Sequence, residues 1–303
     1  MYHYVRPVKG SKYPNIKALE FEGFLRQLNY LQNNSNFISA MDLLDSIYNE
    51  KNVPKKSIML TFDDGFKDHY SYVFPQLKKL SIQGLFFPPA EPIEKKIVLE
   101  VHKIQFILAC CENKQDIINL IFAMIKQYKN EYELRDSKEY FLELAAYDRF
   151  DTKEVVFIKR ILQRDLPKKL RTEIINCLFE KFVTSDEKTF ALELYLSLDE
   201  IKEMRESEMY FGSHAYSHEW LGRLSTQQIQ LEIERSLKFY SNFIGKTNDI
   251  IMCYPYGNYN ADVINQLKNK GFKAGLTTEV GDAILNRDNA FTLKRLDTND
   301  FIQ

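Results

Sequence analysis

Short strand-like and helix-like segments alternate along much of this chain, and this alternation restricts its fold more than any other feature. In the first 90 residues, "MYHYV", "NFIS", "SIMLTF" and "GLFFPP" are strand-like, and segments with apolar residues at helical spacing separate them. The alternation resumes at Leu198, where "MYFGSHA", "IIMCYPYG" and "FKAGLTT" are strand-like. Repeated strand–helix units form a parallel sheet covered by helices. About seven such strands predict a closed or distorted β/α barrel.

The middle of the chain interrupts this alternation. No glycine occurs between Ala90 and Leu198, and segments such as "EVVFIKRILQRDLPKKL" are apolar at helical spacing and densely charged between. We therefore predict a barrel domain formed by residues 1–89 and 198–303, with a large helical insertion at 90–197. The insertion is too long for an ordinary connection. We predict that the insertion covers the cleft at the carboxyl ends of the barrel strands, or that it mediates contact with another copy or a partner. The alternative is that it only adds a stabilising layer of helices.

The bulk composition excludes several classes of partner. The 41 basic and 42 acidic residues leave a net charge of -1, so we expect no nucleic-acid partner. The longest apolar run, "IINLIFAMI", is far shorter than the ~20 residues of a spanning helix, so no transmembrane segment is predicted. The four cysteines form no CxxC pair, which is typical of reduced thiols. The first residues lack the apolar centre of a signal peptide. With Met1 as the native start, we expect a cytoplasmic protein.

Two motifs carry residues suited to metal-assisted hydrolysis. In "TFDDG", Asp63 and Asp64 end an apolar strand, where buried carboxylates require a positive partner. In "GSHAYSH", His214 and His218 stand four residues apart, a spacing that brings both imidazoles to one side of a helical turn. One carboxylate and two imidazoles hold a divalent ion and leave a position for water. Taken alone, the histidine pair also fits two surface or capping residues.

A third motif, "YPYGNY", follows another predicted strand. Its Pro-Tyr-Gly forms a tight turn that can aim a backbone N–H into a cleft, although taken singly it is an ordinary turn. In a parallel β/α barrel, the carboxyl ends of the strands meet at one face. We therefore expect all three motifs to lie together.

These motifs resemble those of the polysaccharide deacetylases with NodB homology, carbohydrate esterase family 4. "TFDDG", "HAYSH" and "CYPYG" are similar to the family's first three motifs, and the resemblance covers the predicted barrel but not the insertion. It implies a distorted (β/α)7-type, NodB-like barrel and one divalent metal ion, by implication zinc. Asp63 matches the general base, and the backbone N–H of Tyr256 matches an oxyanion donor. The residues that match the metal ligands are Asp64, His214 and His218.

The chain departs from the family pattern at three places. Ala215 stands where the family prefers Ser or Thr, and Cys253 stands where many members have an arginine that orients the base. We expect Arg295 to supply that cation from another strand. No histidine follows His218, so the family's C-terminal histidine motif is absent. Circularly permuted members resembling the poly-N-acetylglucosamine deacetylases carry that histidine on the first strand, and the match here is His3. We predict that His3 is the general acid, and a packed histidine is the alternative.

The resemblance implies a metal-dependent hydrolase that removes an N-acetyl group from a sugar. Since no signal peptide is predicted, we expect a cytoplasmic substrate, a free, nucleotide-linked or lipid-linked saccharide precursor of surface polysaccharide. The alternatives are another amide hydrolase, such as a deformylase, on the same scaffold, and a non-catalytic carbohydrate-binding or scaffold protein. A catalytically silent relative would be expected to lose a motif aspartate or histidine first, and this chain keeps them. Asp68 and His69 are expected to cap the next helix or face solvent. Trp220 is expected to be either core or a sugar-stacking wall.

Overall fold

The computed structural model describes residues 1–147, 151–245 and 249–300, and it divides the chain into two compact units. The barrel unit comprises Met1–Pro7, Ala18–Ile97 and Ala191–Gln303, and the helical unit comprises Val8–Lys17 and Val98–Phe190. The borders of the helical unit lie inside the predicted 90–197, and the unit gains a segment near the N-terminus. The domain boundaries given by the sequence therefore stay a prediction.

The strands of the barrel unit are short, and every pair of them is parallel. In chain order they are β1 Val5–Arg6, β2 Leu19–Glu20, β3 Asn36–Phe37, β4 Ser57–Ile58, β5 Leu60–Asp63, β6 Gly84–Phe87, β7 Tyr210–Phe211, β8 Ile251–Cys253 and β9 Ala274–Leu276. The sequence prediction located these segments, with the exception of β2, because each combines apolar residues with a following turn.

Pairing between neighbours carries the strands around a closed ring. Strand β5 pairs with β6, and β6 pairs with β7. Single bridges then join Ser213 to Met252 and Leu276 to Leu293. The ring closes through the N-terminal segment, because the backbone nitrogen of Met1 donates to the Leu296 carbonyl oxygen at 2.6 Å. Tyr2 in turn bridges to Phe62. The distorted β/α barrel is confirmed, and single bridges in place of continuous ladders are the local form of the distortion.

Helices cover the ring and make up the helical unit. They are α1 Phe21–Asn34, α2 Ala40–Asn49, α3 Phe74–Lys79, α4 Ala90–Lys95, α5 Glu100–Cys110, α6 Lys114–Tyr128, α7 Ser137–Leu144, α8 Lys153–Arg160, α9 Lys168–Phe182, α10 Glu187–Leu194, α11 Leu198–Glu206, α12 Thr226–Phe239 and α13 Ala261–Asn269. Capping boxes at Ser197 and Ser225 open α11 and α12. Within the described ranges, no helix has both the length and the apolar character of a membrane span.

Stacked aromatic rings in the barrel unit fix the strands that lead into the site. Phe62 on β5 stacks on Tyr2 at 5.1 Å and on Phe86 at 4.8 Å between ring centroids. Phe86 stacks in turn on Phe211 of β7 at 5.5 Å. Such pairs contribute about 0.5–1.5 kcal/mol each beyond their burial. These stacked rings therefore connect the N-terminal segment that carries Tyr2 with β5, β6 and β7.

In the helical unit, α5, α6, α8 and α9 surround a core that includes Phe106, Ile121, Phe157 and Leu178. Its buried Lys103 donates to Asn176 at 2.7 Å and pairs with Glu187 at 2.8 Å. The ammonium group also lies over the Phe179 ring. A buried cation satisfied in this way is part of the packing, so we assign it no chemistry.

Candidate active site

The turn after β5 presents two carboxylates at the end of the strand. Asp64 and Gly65 both have left-handed backbones, with φ of 70° and 66°. A side chain on Gly65 would meet Cβ of Pro88 at 2.6 Å, so the turn requires glycine for space as well as for conformation. Asp63 thereby ends the strand, and Asp64 leaves it in a new direction.

The histidine motif follows β7 as an irregular loop, so the expectation of a helical turn is wrong. Ala215 and His218 have φ of 59° and 61°, in the left-handed region that non-glycine residues rarely adopt. This backbone brings the His214 and His218 rings to 4.8 Å between centroids. Such conformations cost about 1–3 kcal/mol each and persist where the surrounding structure enforces them, often at functional sites.

Asp64, His214 and His218 form a buried cluster suited to a metal ion. Asp64 Oδ1 lies 3.4 Å from His214 Nε2 and 3.2 Å from His218 Nε2. His214 Nδ1 donates to the Cys253 carbonyl oxygen at 2.6 Å, and this hydrogen bond orients the ring so that Nε2 faces the Asp64 carboxylate. One oxygen and two nitrogen donors, all within 4.8 Å of one another, fit a divalent ion such as zinc.

A second set of side chains also has potential ligand atoms close together, namely Asp63, His214 and Cys253. Atoms of this set already take part in other hydrogen bonds. Both oxygens of Asp63 accept hydrogen bonds from Arg295, and Nδ1 of His214 is used by the Cys253 carbonyl oxygen. Burial raises the pKa of the Cys253 thiol, which disfavours the thiolate that binds metals. We therefore place a metal only on the Asp64 set.

Arg295 forms a bidentate ion pair with Asp63, with both N–O distances at 2.9 Å. The guanidinium group also donates to Thr61 Oγ1 at 3.1 Å and to the Thr277 carbonyl oxygen at 2.8 Å. Burial is the largest single effect and alone would raise the pKa of Asp63, but the charge and hydrogen bonds of Arg295 and the nearby His214 together outweigh it and hold that pKa well below its usual range. Arg295 thus stands where the sequence prediction needs a cation, although it lies 42 residues beyond Cys253 in the chain.

The third motif forms the 3₁₀ turn Pro255–Gly257, with Tyr256 at φ 58°. The Tyr256 ring lies edge-on to His218 at 4.7 Å and stacks on Trp220 at 4.3 Å between centroids. The guanidinium group of Arg223 lies 4.9 Å from the centre of the Trp220 ring. Trp220 is therefore not buried core, because it is half-buried and stacks on Tyr256 beside Asp64, His214 and His218, and its role as a sugar-stacking wall stays a prediction.

His3 is brought next to Asp63 by the bridge between the N-terminal segment and β5. Tyr2 bridges to Phe62, and the Asp63 amide donates to the Tyr2 carbonyl oxygen at 2.9 Å. The next residue, His3, therefore continues at the carboxyl end of the strand beside Asp63, and its side chain is exposed. The structure brings all the predicted site residues to this end of the barrel, and their catalytic roles stay predictions.

Comparison with known proteins places this site in a family. The family model described as "Polysaccharide deacetylase" matches residues 50–124 and 168–275, more than half of the chain. The chain belongs to the polysaccharide deacetylase family. The sequence-based assignment to these deacetylases is thereby confirmed at the level of the family, and the circular permutation stays a prediction.

Individual relatives agree with this assignment. The protein YxkH of Bacillus subtilis (strain 168), assigned by name to the polysaccharide deacetylases, is 34% identical over 89 residues, which are 29% of this chain and 32% of YxkH. The deacetylase PplD of Streptococcus pyogenes, solved with acetate, has a similar fold, with a TM-score of 0.60 at 17% identity over 99% of this chain and 93% of PplD. IcaB from Ammonifex degensii matches with a TM-score of 0.56 at 19% identity, over 99% of this chain and 91% of IcaB.

Two supports of this polysaccharide deacetylase site, His69 and Glu232, were not predicted from the sequence. His69, expected to cap or face solvent, is fully buried. Asp68, of which the same was expected, is also buried and forms an ion pair with Arg6 at 2.6 Å.

Glu232 on α12 accepts three hydrogen bonds from the histidine loop, from Ser217 Oγ, Ser217 N and Tyr216 N. The sequence carries a signal for Glu232, because it is a charged residue on the buried face of α12, at helical spacing from Ile229 and Ser236 and next to Ile233.

Glu232 accepts hydrogen bonds that stabilise the histidine loop, whereas the side chain of Ala215 can make none. The family's Ser or Thr at that position would add a side-chain hydrogen bond within the loop, and Ala215 has none to give. Here Ser213 Oγ accepts from the Ala215 amide at 3.2 Å and lies 2.6 Å from Ser236 Oγ, while Glu232 holds the next two residues. Helix α12 therefore shapes the loop between the two histidines.

Proposed function

We propose that this protein is a metal-dependent hydrolase that removes an N-acetyl group from a saccharide. The observation that carries the proposal is the adjacency of two different carboxylates. Asp63 is bound to Arg295, and Asp64 faces the two imidazoles. Amide hydrolysis needs both an ionised base and an electrophilic centre, and this pair of neighbours provides for both.

Asp63 acts in this proposal as the general base. Arg295 keeps it ionised, and each carboxylate oxygen retains a lone pair beyond the one bound to the guanidinium group. The carboxylate accepts a proton from the water whose oxygen bonds to the acetyl carbon. The backbone N–H of Tyr256 is the proposed donor to the oxyanion, and the strained turn fixes its direction.

The proposed ligands of the ion, zinc in our proposal, are Asp64, His214 and His218. When bound, a divalent ion supplies Lewis acidity toward the acetyl carbonyl and lowers the pKa of a water. Burial and the Cys253 carbonyl oxygen keep His214 oriented for this task.

His3 is the proposed general acid. An amine leaves poorly unless its nitrogen is protonated as the carbon–nitrogen bond breaks. His3 stands beside Asp63 and is exposed, so its imidazole is accessible to a substrate. It donates the proton to the sugar nitrogen, and the products are acetate and the free amino sugar. We further propose that the substrate belongs to surface polysaccharide or its precursors.

Acetate release from N-acetylglucosamine oligomers by the zinc-loaded protein tests this proposal, with N-formylated sugars and O-acetylated xylo-oligosaccharides as comparison substrates. We expect acetate from the N-acetylated oligomers and its loss in Asp63→Asn. Release of formate alone would favour a deformylase. No product from any substrate, at full metal content, would contradict an enzymatic role.

A further inference from the structure

His69 is a histidine in surroundings that would suit a phenylalanine. Its side chain is fully buried. Its ring lies 5.4 Å from Phe62, 5.8 Å from Phe66 and 5.8 Å from Phe86 between centroids. Among the described residues, its Nδ1 is buried with no hydrogen-bond partner. A buried polar atom without a partner destabilises the fold, so packing alone does not explain a histidine here.

The other ring nitrogen makes one specific contact. His69 Nε2 lies 2.7 Å from the carbonyl oxygen of His3. A carbonyl oxygen only accepts, so Nε2 carries the proton and donates. Burial lowers the pKa of His69 to about 4, against a smaller opposite effect of this hydrogen bond, so the ring stays neutral at ordinary pH. The donor is therefore constant over the range in which a hydrolase would work.

The contact acts on a residue that has few other restraints. The His3 side chain is exposed, so packing does not orient it. Tyr2 is fixed on one side by its pairing with Phe62, and Arg6 is fixed farther along by Asp68. The hydrogen bond from His69 holds the peptide group of His3 itself. His69 begins a π-helical turn, His69–Val73, and such turns occur often at functional sites.

We propose that His69 is a positioning residue, whose hydrogen bond to the His3 carbonyl oxygen sets where the His3 imidazole stands relative to Asp63. The inference rests on the proposed role of His3 as general acid. This role accounts for the buried Nε2–H donor of His69, for the three phenylalanine rings packed around its imidazole, and for the direction of the hydrogen bond. His69 touches no reacting atom in this proposal, and acts only through His3.

Three variants of His69 separate positioning from packing. His69→Phe keeps an aromatic ring and removes the donor. His69→Gln places an amide nitrogen at the reach of Nε2, whereas His69→Asn is one carbon too short. In the zinc-loaded protein, we expect His69→Phe and His69→Asn to lower kcat about 10–100-fold, because misplacing a catalytic group by about 1 Å has effects of this size. In both of these variants, KM and zinc content should stay unchanged and the alkaline limb of the pH–rate profile should weaken. His69→Gln should keep most of the wild-type activity.

The His3→Ala background makes the test specific. If His69 acts through His3, then His69→Phe lowers kcat in the wild type and has no further effect in His3→Ala. Arg6→Met is the control, because it removes the neighbouring ion pair with Asp68 without touching the His3 peptide group. It should change thermal stability and leave kcat unaltered.

The outcomes distinguish this inference from the proposed function. Near-wild-type turnover in His3→Ala would remove His3 as the general acid, and the role of His69 with it. A slow His3→Ala enzyme beside a fully active His69→Phe, or equal losses from His69→Phe in both backgrounds, would overturn the positioning role and leave the proposed function standing. Should His69→Phe fail to fold, the Gln and Asn pair decides, and equal activity of these two variants would also overturn the inference.

Discussion

Two halves of the candidate site, side by side at the same strand ends, are held in different ways. The half proposed for proton transfer, called the proton-transfer half, consists of Asp63, Arg295 and His3, and a buried ion pair between residues 232 positions apart holds Asp63, the proposed base. The half proposed to bind metal, called the metal half, consists of Asp64, His214 and His218. Backbone conformation, the Cys253 carbonyl oxygen and helix α12 hold its loop.

This difference implies that the two halves respond separately to substitution. A buried ion pair carries much energy in one contact, so losing one partner is costly. The histidine loop distributes its support over several hydrogen bonds, each contributing about 0.5–1.5 kcal/mol. Changes in the proton-transfer half should therefore affect rate or stability with the metal retained, whereas changes in the metal half should affect metal binding first.

The largest effect is expected from removing a metal ligand. His218→Ala leaves Asp64 and His214 as the remaining donors, so bound zinc should fall from about one ion per chain to near zero, and acetate release should be lost with it. Elemental analysis of the purified protein measures the ion. Asp63→Asn is the matched comparison, since it should be equally inactive and keep its zinc. Loss of zinc from Asp63→Asn would show that the two halves are not separate.

The next effect is on stability. Arg295→Met leaves the buried carboxylate of Asp63 without its cation, which should lower the free energy of unfolding by about 3–5 kcal/mol. Denaturant unfolding of the metal-free protein measures this loss. Adding Asp63→Asn to Arg295→Met removes the buried charge and should recover part of it. An Arg295→Met protein as stable as the wild type would mean that the ion pair does not hold this half.

A smaller effect should follow from loosening the histidine loop. Glu232→Ala removes the acceptor for three hydrogen bonds between the two ligands, so the Kd for zinc should rise about 10–100-fold. Competition with a fluorescent chelator measures the Kd, and kcat at saturating zinc should stay near the wild-type value. Glu234→Ala is the control on the same helix, because Glu234 is exposed and pairs with Lys270. Equal zinc affinity in both variants would contradict the role of Glu232.

The smallest effect concerns the support of Tyr256. Trp220→Leu removes the ring that stacks on Tyr256 at 4.3 Å, a contact worth about 0.5–1.5 kcal/mol. If that energy fixes the turn that carries the oxyanion donor, kcat should fall by the corresponding factor of about 2–10, with unchanged zinc content. Steady-state kinetics measure the change. A loss confined to KM would instead make Trp220 a substrate contact.

The sequence by itself predicted most strands of the barrel and the three motifs that meet at its candidate site. Strand-like runs ending in "DDG", "GSHAYSH" and "PYG" are local signals, because apolar pattern and turn chemistry act between near neighbours in the chain. Since the ends of parallel strands share one face of a barrel, the convergence of Asp64, His214 and His218 also followed from the sequence. The helices of the glycine-free segment between Ala90 and Leu198 were likewise predicted from its sequence.

Only the tertiary structure decided how these residues are held. The loop between His214 and His218 was expected to be helical, but Ala215 and His218 have left-handed backbones that local propensity disfavours, and Glu232 binds the residues between them. His69 gives no sequence signal of burial, because its apolar cage comes from β5, β6 and the turn after Asp63. The pairing of Asp63 with Arg295 joins residues that are 232 positions apart in the chain. Contacts of this kind depend on closure of the barrel, and closure is a property of the whole chain rather than of any segment.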